Sequence, residues 1–327
     1  MTRTTASCSH SQRGLALVNT SATALRSRAL CAVLVFCFSA CASPKPVTFP
    51  GPAPVLPKGV RELAMFDGAS GQAVTWETVV ERALAADVVI VGELHHHVLG
   101  LGAAAALFDD LIAARPDGPE VALEFIERDR QPLIDDFADG IISEKEFVRL
   151  ARLSPSNYPP GHRSMVLAAV ASNQPIWGAN APRRYVTLGR KEGLERLAEL
   201  PPERGALVTI PETILGGDYY RRFSKVMHVD QFGVEVVDKF FRSQNIWDAT
   251  MADTVVQAQQ AGALPIVLVI GRFHMAHNGG TLQRIRATDP QLKIFTLAID
   301  DSHAERLAAN DIEMADVVLY AGPSGDG

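Results

Sequence analysis

Six short apolar runs restrict the architecture of this chain more than anything else in it: DVVIVGE (87–93), EVALEF (120–125), PIWGAN (175–180), LPIVLVIG (264–271), LKIFTLAI (292–299) and DVVLYA (316–321). A strand with one face in water alternates apolar and polar residues. Continuous runs predict strands buried on both faces, as in a parallel sheet covered by helices. Helical periodicity lies between them, in WETVVERALAA (76–86), GAAAALFDDLIAA (102–114) and GTLQRIRA (280–287). Strand and helix in alternation predict an α/β fold with a mostly parallel central sheet flanked by helices. Two longer stretches, about 127–172 and 183–262, read as helical insertions capping the C-terminal edge of the strands. From 61 to 327 there is no second linker and no internal repeat, which predicts a single domain.

The N-terminus reads differently. All four cysteines, Cys8, Cys31, Cys37 and Cys41, fall in the first 41 residues, so the later chain has no thiol for a disulfide, a metal or a nucleophile. RSRALCAVLVFCFSAC supplies a basic region at Arg26 and Arg28, an apolar region from Ala29 to Phe38, and small residues before Cys41. The apolar region is short for a spanning helix, which needs about 20 apolar residues. Residues 1–40 are therefore expected to be a bacterial lipoprotein signal peptide, with Cys41 the lipidated residue anchoring the protein in the bilayer. Ala42 after it favours the outer membrane, facing the periplasm. Residues 41–60, rich in proline, read as a tether with little capacity to pack. Without residues 1–40 the chain carries 27 basic and 37 acidic side chains, a net charge of −10. No basic run compensates for this, which argues against a nucleic-acid partner.

Chemistry collects at the ends of the apolar runs. The first ends at Glu93 and His95, the second at Glu124, the third at Asn180, and the fourth passes Gly271 to His274 and His277. Open parallel sheets bind ligands beyond the carboxyl ends of their strands. Glu93, His95, Glu124 and His274 are thus expected to share one cleft. Imidazole and carboxylate together suit a divalent metal on His95, Glu124 and His274, or metal-free general-base catalysis by Glu93 or Glu124 beside a histidine. The His95–His97 spacing also suits an amidohydrolase barrel, but there are too few strand–helix pairs for eight repeats. No nucleophile elbow, phosphate-binding loop or dinucleotide fingerprint is present. Pro182 predicts a helix start after Asn180, putting Arg183 and Arg184 at its positive end, where an anionic ligand would suit them. In FFRSQNIWDATMADTVVQAQQ (240–260), Gln244 and Asp248 are polar members of an otherwise apolar stripe and need partners in the fold or a ligand.

These residues carry a family resemblance. VVIVGELHHH, VALEFIERDRQPLIDDF, GANAPRR, QNIWDATMADTV, VLVIGRFHMAHNGG and the terminal ADVVLY, in this order over most of 65–321, resemble the ChaN-like lipoproteins of the Tiki/TraB superfamily. The superfamily's G-E-x-H matches Gly92, Glu93 and His95, its isolated Glu matches Glu124, and its later G-x-x-H matches Gly271 and His274. The resemblance implies a haem-binding lipoprotein of iron uptake. Related branches, the Tiki proteases and erythromycin esterases, are hydrolases whose matching Glu and His form the active site. It thus also allows a hydrolase centred on Glu93, His95, Glu124 and His274, or an interaction protein that kept only the fold. The ligand set expected in the cleft is Glu93, His95, Glu124, Asn180, Arg183, Asp248, His274 and His277. Haem iron is held by His or Tyr, which leaves His95–His97, His274, His277, Tyr158, Tyr185, Tyr219 and Tyr220 open as axial ligands. Arg183 or Arg184 would meet a propionate, and a homodimer is allowed.

Overall fold

All six expected strands form, joined by one more. They are β1 (Ala64–Asp67), β2 (Val88–Glu93), β3 (Glu120–Glu127), β4 (Ile176–Asn180), β5 (Ile266–Gly271), β6 (Ile294–Asp300) and β7 (Val317–Tyr320). The computed structural model describes residues 51–324. The expected signal peptide and Cys41 lie outside the described residues. The strands make one sheet in the order β1-β7-β6-β2-β5-β3-β4, in which only β1 runs antiparallel, along β7. At four residues (AMFD), β1 is too short to show a period.

Every residue of β2 and β5 is buried, and alternate side chains feed two cores. On one face, Val89, Val91, Val267, Val269 and Leu297 pack against helices α1 (Trp76–Leu84) and α2 (Val98–Ala114). Helices α3 (Gln131–Ala138), α4 (Glu144–Leu150) and α5 (Pro160–Ala171) join that core through Phe137, Phe147 and Met165. Each such fully buried aliphatic side chain contributes roughly 1.5–3 kcal/mol. Past α6 (Arg183–Glu192) come two single turns, α7 (Glu195–Ala198) and α8 (Pro202–Gly205), then α9 (Gly217–Val226) and α10 (Val229–Phe232). The opposite face packs Ile90, Leu268 and Ile270 against α11 (Val234–Ala261) and α12 (Gly280–Thr288).

The two long helical stretches therefore do more than cap the strand ends. Helix α5 is a layer helix beneath β3. The second half of α11 packs Met251, Val255 and Ala258 on the sheet, while its first half joins α9 in a separate aromatic cluster of Tyr219, Phe223 and Phe241. A helix of 28 residues is about 42 Å long and reaches both regions. The expected tether also differs at its end. Arg163 donates to the carbonyls of Gly51 (2.8 Å) and Pro52 (2.7 Å), and Val60 is buried. Proline brings carbonyls without N–H groups, so a single guanidinium can hold such a segment down.

Candidate functional site

Register delivers the first residues of the site. Glu93 pairs with Gly271 at the shared carboxyl end of β2 and β5. Beside them the pairing of β3 with β4 shifts between Leu123 and Glu127, where Glu124 and Phe125 fall; such irregularities re-aim side chains at sheet edges. Gly271 makes room for the group: a Cβ there would stand 3.0 Å from His95 Cε1 and 3.5 Å from Glu124 Oε2. Its amide donates to Glu124 Oε2 at 2.6 Å.

Two carboxylate-backed imidazoles meet at this floor. Glu93, 2% exposed, accepts from His95 Nδ1 at 2.9 Å and from His162 Nε2 at 2.6 Å. Burial pushes the Glu93 carboxyl up, but the attraction of His162 and the hydrogen bonds from both histidines outweigh it and bring it to about 2. An ionised Glu93 makes both imidazoles donors. His95 Nε2 is therefore left without a partner among the described residues, on a side chain that is still 46% exposed. The His95 pKa is raised by the Glu93 hydrogen bond and by Glu124, against burial and the neighbouring His274.

The second imidazole is His274, in the turn after β5. Its Nδ1 donates to Asp248 Oδ1 (2.7 Å), and its Nε2 lies 3.6 Å from Glu124 Oε1. Asp248, at 0% exposure, also accepts from Thr281 Oγ1 (2.8 Å) and from the Tyr219 hydroxyl (2.7 Å), which itself accepts from Gln244 Nε2 (3.0 Å). Burial pushes His274 down, but Asp248 and Glu124 reverse this, and its pKa is raised. Burial and Asp248 together push the Tyr219 phenol well up. These partners answer what the polar stripe on α11 is for.

Above the floor opens a cleft of about 1490 Å³, lined by Glu93, His95, Glu124, Phe125, Asn180, Arg183, Arg222, Gln244, Trp247, Phe273, His274 and His277 among others. Of the expected ligand set, all but the wholly buried Asp248 reach this lining. Asn180 spends its Oδ1 on the Ala181 amide (2.9 Å). The exposed Arg183 opens α6, and its amide donates to Glu127. Other candidates fall away from the cleft. Arg184 pairs with Asp129 and lies over the Tyr185 ring. His96 is exposed, in a left-handed turn (φ 66°). His97 is 2% exposed and pinned at both ends: its Nδ1 accepts from the Gly100 amide (3.0 Å) as the cap of α2, and its Nε2 donates to Gly322 O (2.7 Å). Tyr158 packs on Phe147, and Tyr220 donates to Asp238. His95, Glu124 and His274, the expected divalent-metal set, converge over Gly271. Yet among the described residues no group of three or more His, Cys, Asp or Glu is arranged to hold a metal ion, and one Glu124 oxygen is taken by the Gly271 amide.

Sequence reasoning missed His162, which reads as one polar residue in the apolar helix PGHRSMVLAAVA. It also missed Arg222 and Phe273. Their only signal is adjacency to other residues of interest, because the contacts that matter are made across the fold.

Comparison with known proteins supports the family reading. The family model described as "Haem-binding uptake, Tiki superfamily, ChaN" matches residues 79–285. A search of curated proteins finds no match. Among solved structures, ChaN of Campylobacter jejuni, described with cofacial haem binding, superposes with a TM-score of 0.62 at 18% identity, covering 79% of this chain and 96% of that one. The type III effector HopBA1 (TM-score 0.44, 12% identity, 76% and 93% covered) is more distant. So is an erythromycin esterase in its open conformation (0.44, 12%, 72% and 76%). At these identities the superpositions show the fold alone.

Proposed function

The chain belongs to the ChaN family of haem-binding uptake proteins in the Tiki superfamily, and on that premise we propose that it binds haem in the cleft above Gly271, with His95 Nε2 as the iron ligand. The carrying observation is the His95–Glu93 pair, a half-exposed imidazole whose Nδ1–H is held by a buried, ionised carboxylate. This arrangement orients a metal-binding histidine and raises its basicity. The rest of the donor set fits a haem. Phe125, Trp247 and Phe273 offer apolar walls for the macrocycle, and Arg183 and Arg222 offer cations for its carboxylates. The cleft is larger than the ~300–1,000 Å³ of an ordinary small-ligand pocket. When bound, haem brings a redox-active iron; the protein's part is to hold and shield it as cargo for uptake. Lipidation at Cys41 and attachment to the periplasmic face of the outer membrane complete this reading, supported by the signal-like pattern of residues 1–41.

A haemin titration of the purified full-length chain, followed by visible absorbance, tests it. Saturable binding that His95→Ala abolishes or strongly weakens, and that His96→Ala leaves intact, is the expected result. Unsaturable binding, or a His95→Ala variant that binds as the parent does, refutes it. A second reading has its own observation. Asp248 fixes His274 with Nε2 towards Glu124, the geometry of an oriented base beside a carboxylate. Under that reading the chain is a hydrolase, and Glu124→Gln removes turnover of ester or amide substrates without changing haemin binding.

A further inference from the structure

One half-buried cation beside the cleft has no anion among the described residues. Arg222, on α9, lies with its guanidinium carbon 5.8 Å from the Tyr219 ring centre and 5.6 Å from that of Phe273. Its Nη1 donates to Ala276 O (2.9 Å) and its Nη2 to His277 O (3.1 Å), while Nε is buried without a partner. None of the ion pairs among the described residues involves Arg222 or Lys225, one turn further along α9. Burial pushes the Arg222 pKa down, opposed only by the Tyr219 hydroxyl group. A partly desolvated charge is costly unless it is paired, and carbonyl dipoles supply only part of the compensation.

The position of this charge indicates what would complete it. Arg222, Lys225, His277 and Met314 line both the main cleft and a smaller cavity of about 790 Å³, so they form the wall common to the two. Most acids around the smaller cavity already have partners: Asp67 holds Arg82, Asp218 holds Arg221, and Asp316 accepts from Thr296. Arg183, the cation expected from sequence, is exposed and loses little by standing alone in water.

We propose that Arg222, assisted by Lys225, anchors a carboxylate of the cleft ligand. On the haem reading, on which this inference rests, that carboxylate is a propionate. Arg222 is held by its two carbonyls before the ligand arrives, so little side-chain freedom remains to be lost on binding. Lys225 is exposed and adds a second, mobile charge at the same wall.

The test compares haemin with its dimethyl ester, which keeps the iron and the macrocycle but has no carboxylates. Both are titrated into the full-length chain, Arg222→Gln, Arg222→Lys and Lys225→Ala. The parent chain is expected to prefer haemin, and Arg222→Gln to weaken haemin by about tenfold or more, the worth of a charge-assisted hydrogen bond, while leaving the ester unchanged. Arg222→Lys should recover part of the preference, and Lys225→Ala should lower haemin binding by a few-fold. Equal losses for haemin and ester in Arg222→Gln would mean that its carbonyl bonds only support the fold, and would overturn the proposal. Unchanged haemin binding in Arg222→Gln would overturn it as well. If the parent chain binds neither compound, the haem reading itself fails and the anchor falls with it, a result distinct from binding that ignores Arg222.

Discussion

Removing the Asp248 carboxylate tests whether the His274 half of the site is a true buried charge pair. Asp248→Ala strips the acceptor from His274, Thr281 and Tyr219 at once, in a region where Asp248 is 0% and His274 6% exposed. Breaking a buried pair costs about 3–5 kcal/mol, which at this chain size lowers Tm by roughly 5–9 °C. Asp248→Asn keeps one acceptor oxygen, for His274 and Thr281 on the Oδ1 side but not also for Tyr219 on the Oδ2 side, and should cost less, about 1–3 kcal/mol. The two variants should also differ from the parent in pH dependence. The His274 pKa is raised in the fold, so between its unfolded value and its higher folded value the native state holds one proton more than the unfolded chain. Stability is then fully present below the ordinary imidazole pKa of about 6.5 and falls as pH rises through the folded value, by at most ~1.4 kcal/mol per pH unit. Urea denaturation at a series of pH values from 5.5 upward reads this directly. The parent should lose stability with rising pH, and Asp248→Asn should show a shallower slope that keeps only the share of His95, whose pKa is raised as well. A parent without the slope, or an Asp248→Ala variant within 1 kcal/mol of it by the standard spread of surface substitutions, would refute the charged pair.

Four further outcomes follow from the same contacts. Tyr219→Phe removes one hydrogen bond to Asp248 and should cost about 1–2 kcal/mol in denaturation, with the His274-linked slope retained. Glu93→Ala leaves His162 buried without its partner and should destabilise by about 3–5 kcal/mol, whereas haemin binding, if His95 needs its carboxylate, should fall even in the fraction that folds. His97→Ala loses the cap of α2 and the bond to Gly322, a cost of about 1–3 kcal/mol by thermal melting, with haemin affinity unchanged. Gly280→Ala sets a Cβ against Asp248 Oδ2 and the Tyr219 ring and should cost about 1–3 kcal/mol through overpacking, with a changed His274-linked slope.

Much of this molecule can be read along the chain. The runs at 87–93, 120–125, 175–180, 264–271, 292–299 and 316–321 all became strands, because burial on both faces demands apolar residues at every position and leaves a local mark. Glu93, His95, Glu124 and His274 come to one edge because parallel strands point their carboxyl ends the same way. Four-residue β1 left no mark, being too short for a period to appear. The double role of α11 was also hidden, since apolar residues at helical spacing say that a face is buried but not against which neighbour.

The division is sharpest among the histidines. That imidazoles and carboxylates gather beyond the ends of β2, β3 and β5 is legible along the chain. Their separate roles come from contacts made across the fold. His95 faces the cleft because Glu93 holds its other nitrogen, and Glu93 is ionised because His162, 69 residues away, approaches from the second-layer helix α5. His97, two positions from His95, caps a helix and binds a carbonyl 225 residues distant. Arg222 became notable only when no carboxylate among the described residues proved to pair with it. Hydrogen bonds and desolvation depend on which groups lie within about 3 Å, and for these residues the deciding neighbours are remote in the chain.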